Sequence, residues 1–151
     1  MTKILFVCHG NICRSPMAEY FMKELVRREG LEDRFEIASA ATSCEEIGND
    51  VYPPARKKLS EHGVPCPKRT ARRLTGTDFG EYDLIIGMDS ENLKRAVAEK
   101  GSYEGVDIVA IHYYSGTQKK KLAVVEKELA ELEELAEELE KRFGLSGISL
   151  E

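Results

Sequence analysis

Tryptophan is absent from this chain of 151 residues, and cysteine and methionine occur only four times each. The sequence has no run of about 18 apolar residues, so it offers no segment that would span a membrane. Its N-terminus enters an apolar stretch without the basic and apolar leader of a signal peptide. These absences predict a cytoplasmic protein that does not bind membranes.

The few cysteine and histidine residues do not have the spacing of a zinc site or of a small disulfide scaffold. We therefore expect no metal and no other cofactor. The formal net charge of −5 argues against nucleic acid as the main partner. The length and the 42% hydrophobic content suit one packed core, so a single domain over residues 1–151 is predicted.

Apolar strand patterns and helix signals alternate along the chain. The predicted strands are Ile4–Val7, Phe35–Ser39, Tyr82–Met88 and Val106–Ile111. This order predicts an α/β fold, a doubly wound four-stranded parallel sheet with helices on both faces and a site at the carboxyl ends of the strands.

Three helices are predicted between these strands. The first helix is predicted to have Ser15 as its N-cap and Pro16 in its first position, and to end before Gly30. Its apolar stripe contains Phe21, Met22, Leu25 and Val26. The second opens at Pro53 and stops at Gly63, and the third follows Asp89 or Ser90 and runs to Lys100. The polar segment Ala40–Asp50 is predicted as a surface loop.

A long amphipathic helix is predicted at about residues 118–143, because apolar residues recur there at three- and four-residue steps among Glu and Lys. We expect its stripe to cover one face of the sheet; a coiled coil of three heptads is the alternative. Its composition of strong helix formers is also typical of an engineered segment.

The segment Cys8-His9-Gly10-Asn11-Ile12-Cys13-Arg14-Ser15 joins the first predicted strand to the first predicted helix. A loop in this place points backbone N–H groups at one spot beside a helix N-terminus, which makes an anion-binding nest. These amides and the charge of Arg14 favour the thiolate of Cys8, which predicts a nucleophile. Arg14 offers a planar fork for two phosphate oxygens, and Ser15 is placed to hydrogen-bond the sulfur as it leaves.

At these residues the chain resembles the low-molecular-weight protein tyrosine phosphatases, whose signature is Cys-x5-Arg-Ser after the first strand. Further segments resemble the family in the same order: Pro16–Glu19, Ile37–Ser43, Pro53–Ala55, Thr70–Leu74 and Gly87–Leu93. The resemblance covers roughly the first 95 residues. It implies a phosphotyrosine protein phosphatase I-like fold, and phosphate monoesters, with phosphotyrosine proteins among them, as substrates.

The resemblance also implies roles for single residues. It places the loop residues against the substrate phosphate, namely His9, Gly10, Asn11, Ile12 and Cys13. It further implies that Asn11 braces the loop, that Asp89 supports the site, and that Cys13 traps Cys8 as a disulfide under oxidation.

The residues themselves leave simpler alternatives open. The alternative for Asn11 is a simple turn residue that tolerates a left-handed conformation, and the alternative for Cys13 is a residue that only fills space in the loop. His9 is a partly exposed loop residue that adds positive potential when protonated, and Asp89 is a helix N-cap. Cys44 and Cys66 are expected to take no part in the chemistry.

The general acid of the family is missing. Its members carry Asp-Pro and then aromatic residues after the fourth strand, and that aspartate protonates the leaving oxygen, but this chain contains no Asp-Pro. Tyr113 and Tyr114 correspond to the aromatic pair that contacts substrate, and Ile111-His112 stands where Asp-Pro would be. Asp107 lies on the order of 15 Å away along the strand. His112 is therefore the predicted substitute acid.

Together these features predict a cysteine-dependent phosphomonoesterase that works through a phosphocysteine and is weakened by the loss of its acid. The alternative is a catalytically impaired or engineered phosphate-binding scaffold on the same fold. A third hypothesis is arsenate reduction, which requires further thiols near the third strand. No cysteine follows Cys66.

Overall fold

The structure, a computed structural model, describes residues 1–100 and 106–110. The predicted helix at about 118–143 and the predicted site residues His112, Tyr113 and Tyr114 lie outside the described residues. Within the described part, none of the helices has the length and apolar character needed to cross a bilayer.

Four parallel strands form one sheet in the order β2-β1-β3-β4. They are β1 (Thr2–Cys8), β2 (Phe35–Ala41), β3 (Leu84–Gly87) and β4 (Asp107–Ala110). This topology confirms the predicted doubly wound parallel sheet. The third strand is shorter than predicted because the backbone N–H of Tyr82 donates to the carbonyl of Asp78, which ends a short helix just before the strand.

The helices are α1 (Arg14–Arg28), α2 (Pro53–Glu61), α3 (Asp78–Glu81) and α4 (Ser90–Lys100), and a 3-10 turn spans Glu32–Arg34. Gly30 and Gly63 follow α1 and α2 with φ of 68° and 69°, in the left-handed region that glycine adopts without strain, as predicted. The 3-10 turn and α3 were not predicted, because each is a single turn with no apolar periodicity.

The prediction that Ser15 caps the first helix is wrong. The N-cap position belongs to Cys13, and Ser15 is the second residue of α1. Its side chain is fully buried, and its hydroxyl contacts the sulfur of Cys8 rather than the free N–H groups of the helix. Pro16 accordingly lies in the third helical position rather than the first.

The two faces of the sheet are covered by different helices. On one face, Ile4 and Phe6 of β1 pack with Met22 and Val26 of α1. On the other, Leu5 and Val7 pack with Phe79 of α3 and Ala96 of α4. Phe21 departs from the predicted apolar stripe, since it is 38% exposed and lies outside both cores.

The segment predicted as a surface loop at Ala40–Asp50 begins later than expected. Ala40 and Ala41 belong to β2, and the buried Thr42 and Ser43 continue along the end of β1. The backbone N–H of Thr42 donates to the carbonyl of Cys8 at 2.9 Å, and that of Ser43 donates to the carbonyl of His9 at 3.1 Å. Exposure starts at Cys44. The end of β2 is therefore fixed against the predicted site.

Candidate active site

Cys8 is the last residue of β1 and is only 3% exposed. Its sulfur accepts a hydrogen bond from the backbone N–H of Asn11 at 3.3 Å and lies 3.0 Å from the Ser15 hydroxyl. When Cys8 is a thiolate it has no proton to give, so Ser15 is then the donor. The predicted contact between Ser15 and the sulfur is therefore present, and two donors face the same atom.

Asn11 holds the turn of the loop. It is the only non-glycine residue with positive φ, 57°, among residues 1–100 and 106–110, and it is fully buried. Its side-chain amide donates to the hydroxyls of Ser15 and Ser39, both at 2.8 Å. Asn11 is thus both the left-handed turn residue and the brace that the sequence left as alternatives.

Arg69 is the main part of the site that the sequence analysis missed. Its guanidinium donates to the backbone carbonyl and to the side-chain oxygen of Asn11, each at 2.6 Å. It also donates to the Ser39 hydroxyl at 3.2 Å. Two short charge-assisted bonds to one residue hold that residue in its left-handed conformation. The only available signal was the polar Ser39, which lies among apolar residues in the second half of the strand.

The network continues away from the loop into α1. Ser39 donates to the buried Glu19, so its hydroxyl uses its one proton and both of its acceptor sites. The neighbouring Tyr20 stays neutral, because burial and the charge of Glu19 raise its pKa to about 12. The polar groups beneath the loop are therefore paired rather than free to rearrange.

Arg14 and Asp89 connect the loop to the end of β3. The Arg14 guanidinium donates to Asp89 Oδ2 at 2.8 Å, and Asp89 Oδ1 accepts the backbone N–H of Asn92 at 2.8 Å. Asp89 is thus both helix cap and support for Arg14, as the two interpretations proposed. Burial opposes ionisation of this carboxyl, but the bonds from Arg14 and Asn92 outweigh it and lower its pKa. Asp89 is therefore charged at neutral pH.

His9 and Gly10 form the open side of the loop. The His9 ring Nε2 lies 2.9 Å from a carboxylate oxygen of Glu45, and 41% of the His9 side chain is exposed, in agreement with a partly exposed loop residue. A Cβ on Gly10 would lie 3.1 Å from Cγ of Glu46, so a larger residue here would need the Glu46 side chain to shift. Glu45 and Glu46 were not predicted as neighbours of the loop.

Ile12 and Cys13 are the remaining predicted loop residues, and both contact the segment around α2. The carbonyl of Ile12 accepts the backbone N–H of Tyr52 at 2.7 Å, and the half-buried Cys13 packs beside Tyr20 in the cluster between α1 and α2. Of the other thiols, Cys44 is exposed, whereas burial raises the pKa of Cys66.

The arrangement has the parts of an anion site with a sulfur at its base. The loop lies between the end of β1 and the start of α1, where free backbone N–H groups attract negative charge. Arg14 adds a fixed positive charge at the C-terminal end of the loop, and Asn11, Arg69 and Ser39 hold the loop from below. Amides and a guanidinium placed in this way suit a phosphate-sized anion next to the sulfur.

Comparison with known proteins finds phosphatases that are similar to this chain over most of its length. A family model described as low molecular weight phosphotyrosine protein phosphatase matches residues 3–145. The protein of that name from Homo sapiens is 42% identical over 91 residues, so this chain spans only 57% of the length of that curated relative, with 60% of its own residues. The one from Schizosaccharomyces pombe is 40% identical over 125 residues, 79% of this chain and 80% of the yeast protein.

A solved structure supports the fold across both chains. The crystal structure of YfkJ from Bacillus subtilis matches with a TM-score of 0.76 at 27% identity and covers 94% of this chain and 96% of that one. The family model covers nearly the whole sequence, and the fission yeast relative matches over more than two thirds of both chains. The chain belongs to the low molecular weight phosphotyrosine protein phosphatase family.

Proposed function

We propose that this protein is a hydrolase of phosphate monoesters, with phosphotyrosine in proteins as a substrate, that works through a phosphocysteine on Cys8. The observation that carries the proposal is the buried Cys8 sulfur, which receives donors from Asn11 and Ser15 at the base of an anion-binding loop. The relatives are named phosphotyrosine protein phosphatases, which supports the substrate class.

Binding precedes the chemistry. The phosphoryl oxygens take hydrogen bonds from the loop amides of residues 9–13, and the Arg14 fork binds two of them. Asp89 positions that fork through its 2.8 Å bond to one nitrogen. Because the phosphoryl group is dianionic, positioning and charge stabilisation supply most of the rate acceleration in this class of reaction.

The covalent step then follows from the place of the sulfur. The Cys8 thiolate attacks phosphorus, the S–P bond forms as the P–O bond to the leaving group breaks, and water later hydrolyses the phosphocysteine. In the second step the S–P bond breaks and the electron pair returns to sulfur, where the Ser15 and Asn11 donors stabilise the thiolate.

Proton donation is the weak part of this proposed enzyme. Asp89 is ionised, and its two oxygens are already bonded to Arg14 and Asn92, so it does not protonate a leaving group. Asp107 pairs with Leu84, three residues before the end of β3, which places its backbone roughly 10 Å from the carboxyl edge of the sheet. We therefore propose a phosphatase without an efficient carboxylic acid donor; His112, the substitute predicted from the sequence, lies outside the described residues and stays a prediction.

The test of the proposal is to trap the intermediate. The protein is mixed with nitrophenyl phosphate, quenched in acid and digested, and the peptide containing Cys8 is examined by mass spectrometry. We expect nitrophenol release and one phosphoryl group on Cys8. Binding of inorganic phosphate or vanadate with neither product nor phosphopeptide would instead establish the phosphate-binding scaffold and overturn the proposal.

Arg69 gives a prediction about loop positioning. Hydrogen bonds to a charged group contribute about 1.5–3 kcal/mol each, and Arg69 makes two to Asn11. We expect Arg69→Met to lower kcat roughly 10- to 100-fold, and Arg69→Lys to recover little, because an ammonium lacks the fork. The control is Arg28→Met, which removes a surface ion pair of α1 with Glu24. An unchanged kcat in Arg69→Met would show that the loop keeps its active conformation without the hydrogen bonds from Arg69.

Oxidation gives a prediction about Cys13. Mild peroxide should inactivate the enzyme reversibly, because a sulfenic acid on Cys8 condenses with the Cys13 thiol and a reductant then restores both thiols. In Cys13→Ser the sulfenic acid proceeds to irreversible states, so recovery of activity should fall. Cys44→Ser and Cys66→Ser are the matched controls and should recover like wild type. Equal recovery in all four proteins would remove Cys13 from the redox chemistry.

A further inference from the structure

His9 is held at two points beside the nucleophile. Its backbone carbonyl accepts hydrogen bonds from the backbone N–H and the hydroxyl of Ser43, at 3.1 and 2.8 Å. Its ring Nε2 lies 2.9 Å from Glu45 Oε2. The residue that directly follows Cys8 therefore has both its backbone and its imidazole positioned by the segment after β2.

The bond to Glu45 determines which ring nitrogen exchanges protons. A carboxylate accepts but does not donate, so Nε2 keeps its proton whether the imidazole is neutral or charged. The other nitrogen, Nδ1, carries a proton in the imidazolium and a lone pair in the neutral ring. A carboxylate on one nitrogen and a reacting group on the other is the arrangement that orients a histidine for acid–base work.

The leaving group departs away from the buried base of the loop, toward solvent. In an in-line displacement, the attacking and leaving atoms lie on opposite sides of phosphorus. Cys8 attacks from the buried base of the loop, with 3% exposure, so the leaving oxygen points outward. His9 directly follows Cys8 in the loop, and 41% of its side chain is exposed, so its imidazole is accessible from solvent.

The charged and titratable groups of the described residues around His9 have other roles. Glu45 is bonded to the ring, and Glu46, beside Gly10, accepts from the side chain of Asn49 at 2.7 Å. Arg14 and the ionised Asp89 are bonded to one another. Histidine is the side chain that populates both protonation states near neutral pH.

We infer that His9 is the proton donor to the leaving oxygen and that Glu45 is its positioning residue; the inference rests on the proposed phosphatase function. As the S–P bond forms and the P–O bond breaks, Nδ1–H of the imidazolium transfers its proton to the leaving oxygen. In the second step the neutral Nδ1 takes a proton from the attacking water. The thiolate, the imidazolium and free phosphate are then regenerated, so atoms and charges balance.

The experiment compares the dependence of kcat/KM on leaving-group pKa in the intact protein and in single variants. The chain has three histidines, at positions 9, 62 and 112, so each is replaced by glutamine in turn. The exposed His62, which follows α2, is the matched control. The substrates run from dinitrophenyl phosphate, whose phenol leaves readily, to phenyl phosphate.

We expect the slope to steepen in His9→Gln, with a loss on the order of 10- to 100-fold for phenyl phosphate and a clearly smaller loss for dinitrophenyl phosphate. In Glu45→Gln the slope should steepen in the same direction, with the loss in kcat rather than in KM, because the ring loses the carboxylate that orients it. His62→Gln should behave like wild type.

Three results would overturn the inference. An equal loss with every substrate in His9→Gln would show that His9 only shapes the loop. A steeper slope in His112→Gln, with an unchanged slope in His9→Gln, would assign the proton to His112. No turnover of dinitrophenyl phosphate and no phosphocysteine in the wild-type protein would overturn the phosphatase function itself, which the first two results leave intact.

Discussion

Replacing Cys8 with serine is expected to abolish turnover of every aryl phosphate while leaving the binding of inorganic phosphate and vanadate largely intact. The sulfur forms the covalent bond in the proposed mechanism, and a serine hydroxyl at this place lacks a base to activate it. The loop amides and Arg14 remain in the variant, so the anion site persists. The kcat with nitrophenyl phosphate and the phosphate Kd from calorimetry measure the two effects separately.

The control for this variant is Cys44→Ser, which changes an exposed thiol of the segment next to the loop. It should keep wild-type kcat and wild-type phosphate affinity. Activity retained in Cys8→Ser would contradict a cysteine nucleophile. Loss of phosphate binding together with activity would indicate that the loop had collapsed, and the phosphate Kd decides between these outcomes.

The local parts of the site were predictable because they are adjacent in sequence. Cys8, Arg14 and Ser15 fall within one strand–loop–helix segment, and this segment alone brings the sulfur, the amides and the guanidinium together. The fold was predictable for a similar reason. Short apolar runs separated by helix signals favour a parallel sheet, and the carboxyl ends of β1 and β3 then bring Asp89 to Arg14.

The distant parts were not predictable, because they depend on strand register. Arg69 meets Asn11 across 58 positions of sequence, and Ser39 meets it across 28. Nothing in the composition around Arg69 distinguishes it from the other basic residues of that segment. Its contact depends on a connection rich in proline that turns back under the loop, a geometry that hydrophobic patterns do not determine.

The wrong prediction of Ser15 as the helix cap has a similar cause, because a tertiary contact again decided the outcome. A serine before a predicted apolar stripe is a common helix cap, and the local pattern therefore favoured Ser15. The buried sulfur of Cys8 and the amide of Asn11 bind that hydroxyl instead, and the helix begins at Arg14, two residues before the predicted start at Pro16. A tertiary contact decided a position that local propensity alone assigned differently.

The absence of Asp-Pro predicts a strong selection among leaving groups. A positioned general acid contributes about 10²–10⁴-fold, and its contribution is largest when the leaving oxygen is basic. Phosphotyrosine releases a phenoxide whose conjugate acid has a pKa of about 10, so it departs slowly without a proton. We expect kcat/KM for nitrophenyl phosphate to exceed that for a phosphotyrosine peptide by about 10²-fold or more, with a steep slope of log kcat/KM against leaving-group pKa.

Restoring the missing acid is the matching experiment. Ile111 and His112 stand where the family's Asp-Pro is expected from the sequence. The double substitution Ile111→Asp with His112→Pro should therefore raise kcat/KM for the phosphotyrosine peptide by about 10-fold or more and flatten the slope, with little change for nitrophenyl phosphate. Ile111→Asn with His112→Pro is the control, because it keeps the shape and cannot donate the proton of a carboxylic acid. A flat slope already in the wild-type protein would show that an efficient acid is present, and would contradict the prediction that the loss of Asp-Pro weakens this enzyme.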